Sequence, residues 1–249
     1  MSLLDVAVDQ VLEAQQRSGK PLAVMLAGHN GSGKSTLWYS RLAPRLQLPL
    51  INADRMLLSV LPEAGPSGLP AWARRLRDTD LDWMHIGQKG VEAFTLLAMT
   101  RGVAIATETV FSHWQPRSDG SVSSKIDKIH ELQAAGYFVV LVFVGLVSVE
   151  LSIARVATRV AAGGHDVEEL KLRQRFPRSQ RAVSAAAPIA DATLMADNSL
   201  EEAKAFAVCR VQLGHEVLYD RRDQARTPAP IRAWMDVVSP RETPRVRRR

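Results

Sequence analysis

The chain has 249 residues, enough for one large α/β domain with appendages, and its 46% apolar and 23% charged content is that of a globular protein. No apolar run reaches the roughly 18 residues of a membrane span, and the first residues mix acids with a helical period, unlike a secretion signal. The single cysteine, Cys209, excludes an internal disulfide and points to a reducing, cytoplasmic setting; the net charge of +6 is concentrated in the stretch 241–249, so nothing else marks a nucleic-acid surface.

Apolar positions at helical spacing over 3–17 (Leu4, Val8, Val11, Leu12) predict an amphipathic entry helix, broken at Ser18-Gly19-Lys20-Pro21. The unalternating run 22–27 predicts a central parallel strand covered on both faces. A glycine-rich loop follows directly, and 34–42 continues as helix until Pro44. Residues 48–53 predict a strand ending at Asp54, 62–70 a Pro/Gly-rich loop, 80–100 a helix, and 103–107 a strand closing on Glu108. A helix is expected over 121–135, ended by Gly136, and 137–145 (YFVVLVFVG) carries the strongest strand signal. Helices over 149–162 and 166–181 flank Gly163-Gly164, 192–196 predicts a further strand, and 205–211 with 216–219 a closing hairpin.

Strands alternating with helices imply βαβ units with right-handed crossovers. The expected fold class is therefore a three-layer α/β/α domain with a central, mostly parallel sheet. Ligands bind such sheets at the carboxyl ends of the strands, where Gly28, Asp54 and Glu108 all fall.

Gly28-His29-Asn30-Gly31-Ser32-Gly33-Lys34-Ser35 fits G-x-x-x-x-G-K-[ST] and stands between a predicted strand and a predicted helix, the setting that this phosphate loop requires. Its glycines let backbone N–H groups face inward around a β-phosphate, with the helix N-terminus adding a favourable dipole. Lys34 is placed to bridge the β- and γ-oxygens of ATP, and Ser35, followed by Thr36, to offer a hydroxyl to Mg²⁺. His29 reads as a solvent-facing loop position or as a nucleotide contact. Asp54 can accept the proton of an incoming hydroxyl or cap the helix after it. Glu108 can orient an acceptor, hold a magnesium-bound water or cap a turn, while Glu92 by itself reads as a solvated helix position.

Arg155 and Arg159 are four residues apart on one predicted helix and leave the same face. With Lys171, Arg173, Arg175, Arg178 and Arg181 farther on, they suggest a basic lid over 155–181 that neutralises a transferring phosphoryl group. The alternative is a solvated basic face.

The set AGHNGSGKST (27–36), INAD (51–54), Glu-Thr-x-Phe-Ser (108–112), RVATRVAAGGHDV (155–167) and RQRFPRS (173–179) resembles the zeta toxin family of P-loop kinases, over roughly 22–199. That resemblance implies ATP and Mg²⁺ as cofactors, a small-molecule hydroxyl acceptor such as a UDP-N-acetylamino sugar, and a possible antitoxin partner. It places Asp54 at the family's base, Lys34 at its phosphate lysine, Arg155 and Arg159 in its arginine region, and Glu92, Glu108 and Thr109 at the acceptor. Val110 stands where the family often has threonine, and the following SHWQPRSDG differs, which leaves room for another acceptor such as NAD, or for a drug or free sugar. The implied organisation is an N-terminal helix (1–20), a P-loop kinase domain (21–220) and a C-terminal extension (221–249) with a basic tail. A nucleotide-dependent binding module, docking nucleic acid or an acidic partner through that tail, is the non-enzymatic alternative.

Overall fold

The computed structural model describes residues 1–65, 68–200 and 205–241. Helix α1 (Leu3–Ser18) begins at Ser2, whose hydroxyl accepts the Asp5 amide while the Asp5 carboxylate accepts the Ser2 amide. Strand β1 (Leu22–Gly28) then leads into the glycine-rich loop. The helix after the loop runs past Pro44 instead of stopping there, as α2 (Lys34–Leu37), a π-helical turn (Trp38–Leu42) and α3 (Ala43–Leu46). In the π turn the Ala43 amide reaches back to the Trp38 carbonyl, which carries the helix past a proline that has no N–H to contribute.

Strand β2 (Leu50–Ile51) is shorter than expected because Asn52 already caps α4 (Ala53–Ser59). Next come α5 (Ala71–Thr79), α6 (Leu81–Arg101) and β3 (Ile105–Thr109). The helix expected over 121–135 starts only at α7 (Ile126–Ala134); the residues before it form an antiparallel hairpin of β4 (Trp114–Pro116) and β5 (Val122–Ser124). Then follow β6 (Phe138–Gly145), α8 (Val149–Ala161), α9 (Glu169–Ala186), β7 (Ala192–Asp197), β8 (Ala207–Leu213), β9 (Glu216–Asp220) and α10 (Ala229–Val238). α9 continues through Pro177, where one helical hydrogen bond is lost but Leu172, Phe176, Ala182, Val183 and Ala186 remain buried.

Among the described residues the main sheet has the order β2-β3-β1-β6-β7-β8-β9. Pairings from β2 to β7 are parallel and the last two antiparallel. Chain direction reverses its progress at β1, between β3 and β6, so a crevice opens above its carboxyl end.

Every residue of β1 and β6 is buried, and alternate side chains enter two cores. Met25, Leu141 and Phe143 join α7, α9 and α10 on one face; Val24, Val142 and Leu194 join α1 and the Leu37–Trp38–Leu42 ridge on the other. The residues after 220 contribute to the first of these cores through Ile231, Trp234, Met235 and Val238 of α10. Most of the arginine-rich tail, 242–249, lies outside the described residues. No helix among the described residues is long and apolar enough to cross a membrane.

Candidate active site

The loop 28–35 turns through left-handed backbone at Gly31 (φ 70°) and Gly33 (φ 87°). Its carbonyls are taken by the protein. Ser152 Oγ of α8 donates to Asn30 O at 2.7 Å, Asn198 Nδ2 donates to Ser32 O at 2.8 Å, and Lys34 Nζ donates to Gly28 O at 3.2 Å and His29 O at 3.0 Å. The loop is clamped between neighbours as well. A Cβ on Gly31 would lie 3.1 Å from Arg155 Cβ, and one on Gly33 only 2.6 Å from Asn198 Nδ2. Among the described residues, the amides of Asn30, Gly31 and Gly33 find no backbone acceptor, which leaves them able to donate to an anion.

Lys34 is only 9% exposed, and burial holds its ammonium below the usual lysine range. Glu108 opposes that shift, Arg159 adds to it and Asp54 opposes it, so these three charges all act on the lysine. Glu108 is not an isolated carboxylate facing an acceptor. It accepts Ser35 Oγ at 3.0 and 3.2 Å on its two oxygens and Asn52 Nδ2 at 2.8 Å. Strand register explains the meeting: Glu108 pairs with Leu26, two residues before the loop begins.

Asp54 does not cap its helix. Asn52 Oδ1 accepts the Arg55 amide at 3.1 Å, so Asp54 stands in the first turn with an exposed carboxylate. Thr109 Oγ1 accepts the Phe111 amide at 3.2 Å, and Phe111 turns its ring into the core from a left-handed backbone (φ 61°). Thr36 is exposed behind Ser35. Glu92 is exposed on α6, and no hydrogen bond or ion pair among the described residues joins it to this cluster.

His29 departs most from expectation. Its ring is 2% exposed, stacked on Phe176 of α9 at 3.9 Å and edge-on to Phe143 of β6 at 5.5 Å. Neither ring nitrogen has a hydrogen-bond partner, and burial, reinforced by Lys34, lowers its pKa to about 3. Two aromatic rings draw it inward, so it neither faces solvent nor offers its side chain to a nucleotide.

Arg155 stays beside the loop, half-buried, while Arg159 is exposed one turn on and donates to His165 O at 2.7 Å. The later arginines separate. Arg173 pairs with Glu169 and Glu150, and Arg181 lies over the Trp114 ring at 4.7 Å. Arg175 lines a narrow cleft with His29, Asn30 and Ser152. Sequence reasoning missed Asn52, Ser152, Phe176 and Asn198. Two of these follow strand ends, where an amide side chain is a usable signal; the other two face the loop from helices distant in sequence.

No family model matches this chain. An uncharacterized protein of Haemophilus influenzae is 28% identical over 154 residues, 62% of this chain and 91% of that protein. A solved AvrRxo1-ORF1:AvrRxo1-ORF2 complex with sulphate ions is similar with a TM-score of 0.60 at 14% identity, over 97% of this chain and 72% of the other. The same pair solved with ATP gives 0.58 at 16% identity, over 97% and 71%. The PezAT toxin–antitoxin system of Streptococcus pneumoniae gives 0.52 at 15% identity, over 96% and 88%. The three-layer α/β fold with its central, mostly parallel sheet is the one these proteins share.

Proposed function

We propose that this chain is an ATP-dependent phosphotransferase that moves the γ-phosphoryl group to a hydroxyl of a small nucleotide-linked acceptor, a UDP-N-acetylamino sugar being the first candidate. The carrying observation is the Ser35–Glu108 contact beside Lys34, under a loop whose Asn30 and Ser32 carbonyls are held by Ser152 and Asn198 and whose Gly28 and His29 carbonyls are held by Lys34. One fold neighbour was solved with ATP and another belongs to a toxin–antitoxin system, in keeping with the nucleotide and with an inhibitory protein partner.

Ser35 and Glu108 supply hard oxygen donors, a set that fits Mg²⁺, directly or through water. Bound there, the ion would neutralise charge on the β- and γ-phosphates. Lys34 would exchange its two loop carbonyls for phosphate oxygens. Asp54 would take the proton of the acceptor hydroxyl as that oxygen forms its bond to the γ-phosphorus and the bond to the bridging oxygen breaks, releasing ADP. Arg155 and Arg159 would offset the charge spread over the transferring group. Val110, with no polar side chain, favours testing acceptors beyond the sugar nucleotides.

The test is γ-labelled ATP and magnesium with UDP-N-acetylglucosamine, NAD, free sugars and an aminoglycoside in parallel. Lys34→Ala is expected to lose transfer, and Asp54→Asn to lose transfer while keeping ATP affinity. Transfer by Asp54→Asn at the parent rate would remove Asp54 as the base. Labelling of a free sugar or drug alone would move the acceptor class.

A further inference from the structure

The end of α5 is joined to the turn that follows α8. Arg77 grips Asp78 through Nε at 2.7 Å and Nη2 at 3.0 Å, and sends Nη1 across to Gly163 O at 3.1 Å. Asp78 Oδ1 in turn meets His165 Nδ1 at 2.9 Å. The same turn holds Arg159: His165 O accepts Arg159 Nη2 at 2.7 Å, and the Gly164 amide donates to Arg159 O at 2.9 Å. Gly164 lies directly on the arginine stem, since a Cβ there would come within 2.6 Å of Arg159 Cγ.

We propose that Asp78, with Arg77, is a positioning residue for Arg159: α5 and the 163–165 turn form a clasp that fixes where this guanidinium stands relative to Lys34. The inference rests on the reading of Arg159 as a group that meets the transferring phosphate. Stability alone is a weak reason for the arrangement, because partly exposed ion pairs contribute roughly 0–1 kcal/mol. Its geometry serves a different end. The Asp78 carboxylate at the helix end holds His165 directly and orients Arg77, which donates to the Gly163 carbonyl, and the turn so fixed holds an arginine whose charge bears on the buried lysine. Arginine–carboxylate forks fix direction as well as distance, which is what a group aimed at a phosphoryl oxygen needs.

The experiment follows release of labelled phosphate from γ-labelled ATP, with water as acceptor, in the full chain and in Asp78→Ala, Arg159→Ala and the double variant. Asp78→Ala is expected to lower turnover by about tenfold to a hundredfold, with KM for ATP unchanged. The double variant should be no slower than Arg159→Ala alone, because Asp78 acts through that arginine. Hydrogen exchange at amides 162–167 should quicken in Asp78→Ala. If that variant fails to fold, Gly164→Ala, which displaces Arg159 by contact, replaces it in the same cycle. Independent, multiplying losses in the double variant, or parent-like turnover and exchange in Asp78→Ala while Arg159→Ala is impaired, would overturn the clasp and leave the arginine's role intact. Parent turnover in Arg159→Ala would overturn both.

Discussion

The buried imidazole of His29 makes stability depend on pH in a way that one substitution isolates. Burial moves its pKa from 6.5 to about 3 in the folded chain. Above pH 6.5 the ring is neutral in both states and contributes no pH dependence. As pH falls below 6.5, the unfolded chain takes up a proton that the folded chain refuses until about 3, so stability drops across that interval. The slope approaches about 1.4 kcal/mol per pH unit, and between pH 7 and 5 the loss amounts to about 2 kcal/mol. His29→Phe keeps a ring against Phe176 and Phe143 and removes the titration. Urea unfolding of both proteins at pH 7 and pH 5 reads the difference, with every other titrating group cancelling. At pH 7 the larger phenyl ring sets an offset of about 1–3 kcal/mol between the two, which does not change with pH. At pH 5 the variant should have gained about 2 kcal/mol on the parent. An equal gap at both values, or an imidazole that titrates near 6.5 by NMR, would refute the burial argument.

Two further substitutions probe the carboxyl ends of the strands. Glu108→Gln keeps an acceptor for Ser35 and Asn52 but removes the charge; it should raise the magnesium concentration that supports ATP turnover by about tenfold or more, with metal-free ATP binding unchanged. An unaltered magnesium titration would separate Glu108 from the ion. Gly145→Ala places a Cβ 2.0 Å from Trp234 Cζ2, a buried ring that cannot retreat, and should cost about 3 kcal/mol of unfolding free energy. A parent-like melting curve would show that α10 packs elsewhere.

The half of the molecule that carries the glycine-rich loop was legible because its signals are local. An unalternating apolar strand, a glycine loop and a helix start occupy one continuous stretch, and Gly28, Asp54 and Glu108 mark strand ends in the parallel topology. What escaped depends on contacts between distant segments. Phe176 draws His29 inward from far along the chain, so a position inside the glycine-rich loop becomes a core residue. Glu108 meets Ser35 through strand register, which the composition of neither segment reveals. The π turn before Pro44 and the hairpin before α7 were missed for a local reason. The first hides inside a helical period, and the second is built of serines that read equally well as a helix start.

On the proposed reading, the same division explains why acceptor identity is the property least legible in the sequence. The loop side is held by parallel strands and by bonds that leave little freedom: four loop carbonyls have fixed donors. The segments that differ from the resembling family stand on other supports. The β4–β5 hairpin is pinned by Arg117 on Asp127 at 2.6 Å and by Arg181 over Trp114, and Val110 is tethered by Ser179 Oγ at 3.0 Å on its carbonyl. These anchors use one carbonyl, one aromatic ring and surface charges, none of them part of the glycine-rich loop, so the side chains between them can change without disturbing that loop. A fold divided in this way can keep one phosphoryl-transfer apparatus while its acceptor varies. Exchanging 111–125 between relatives should therefore alter which hydroxyl is labelled and leave ATP affinity where it was; a swap that abolished ATP binding would show the two halves to be coupled.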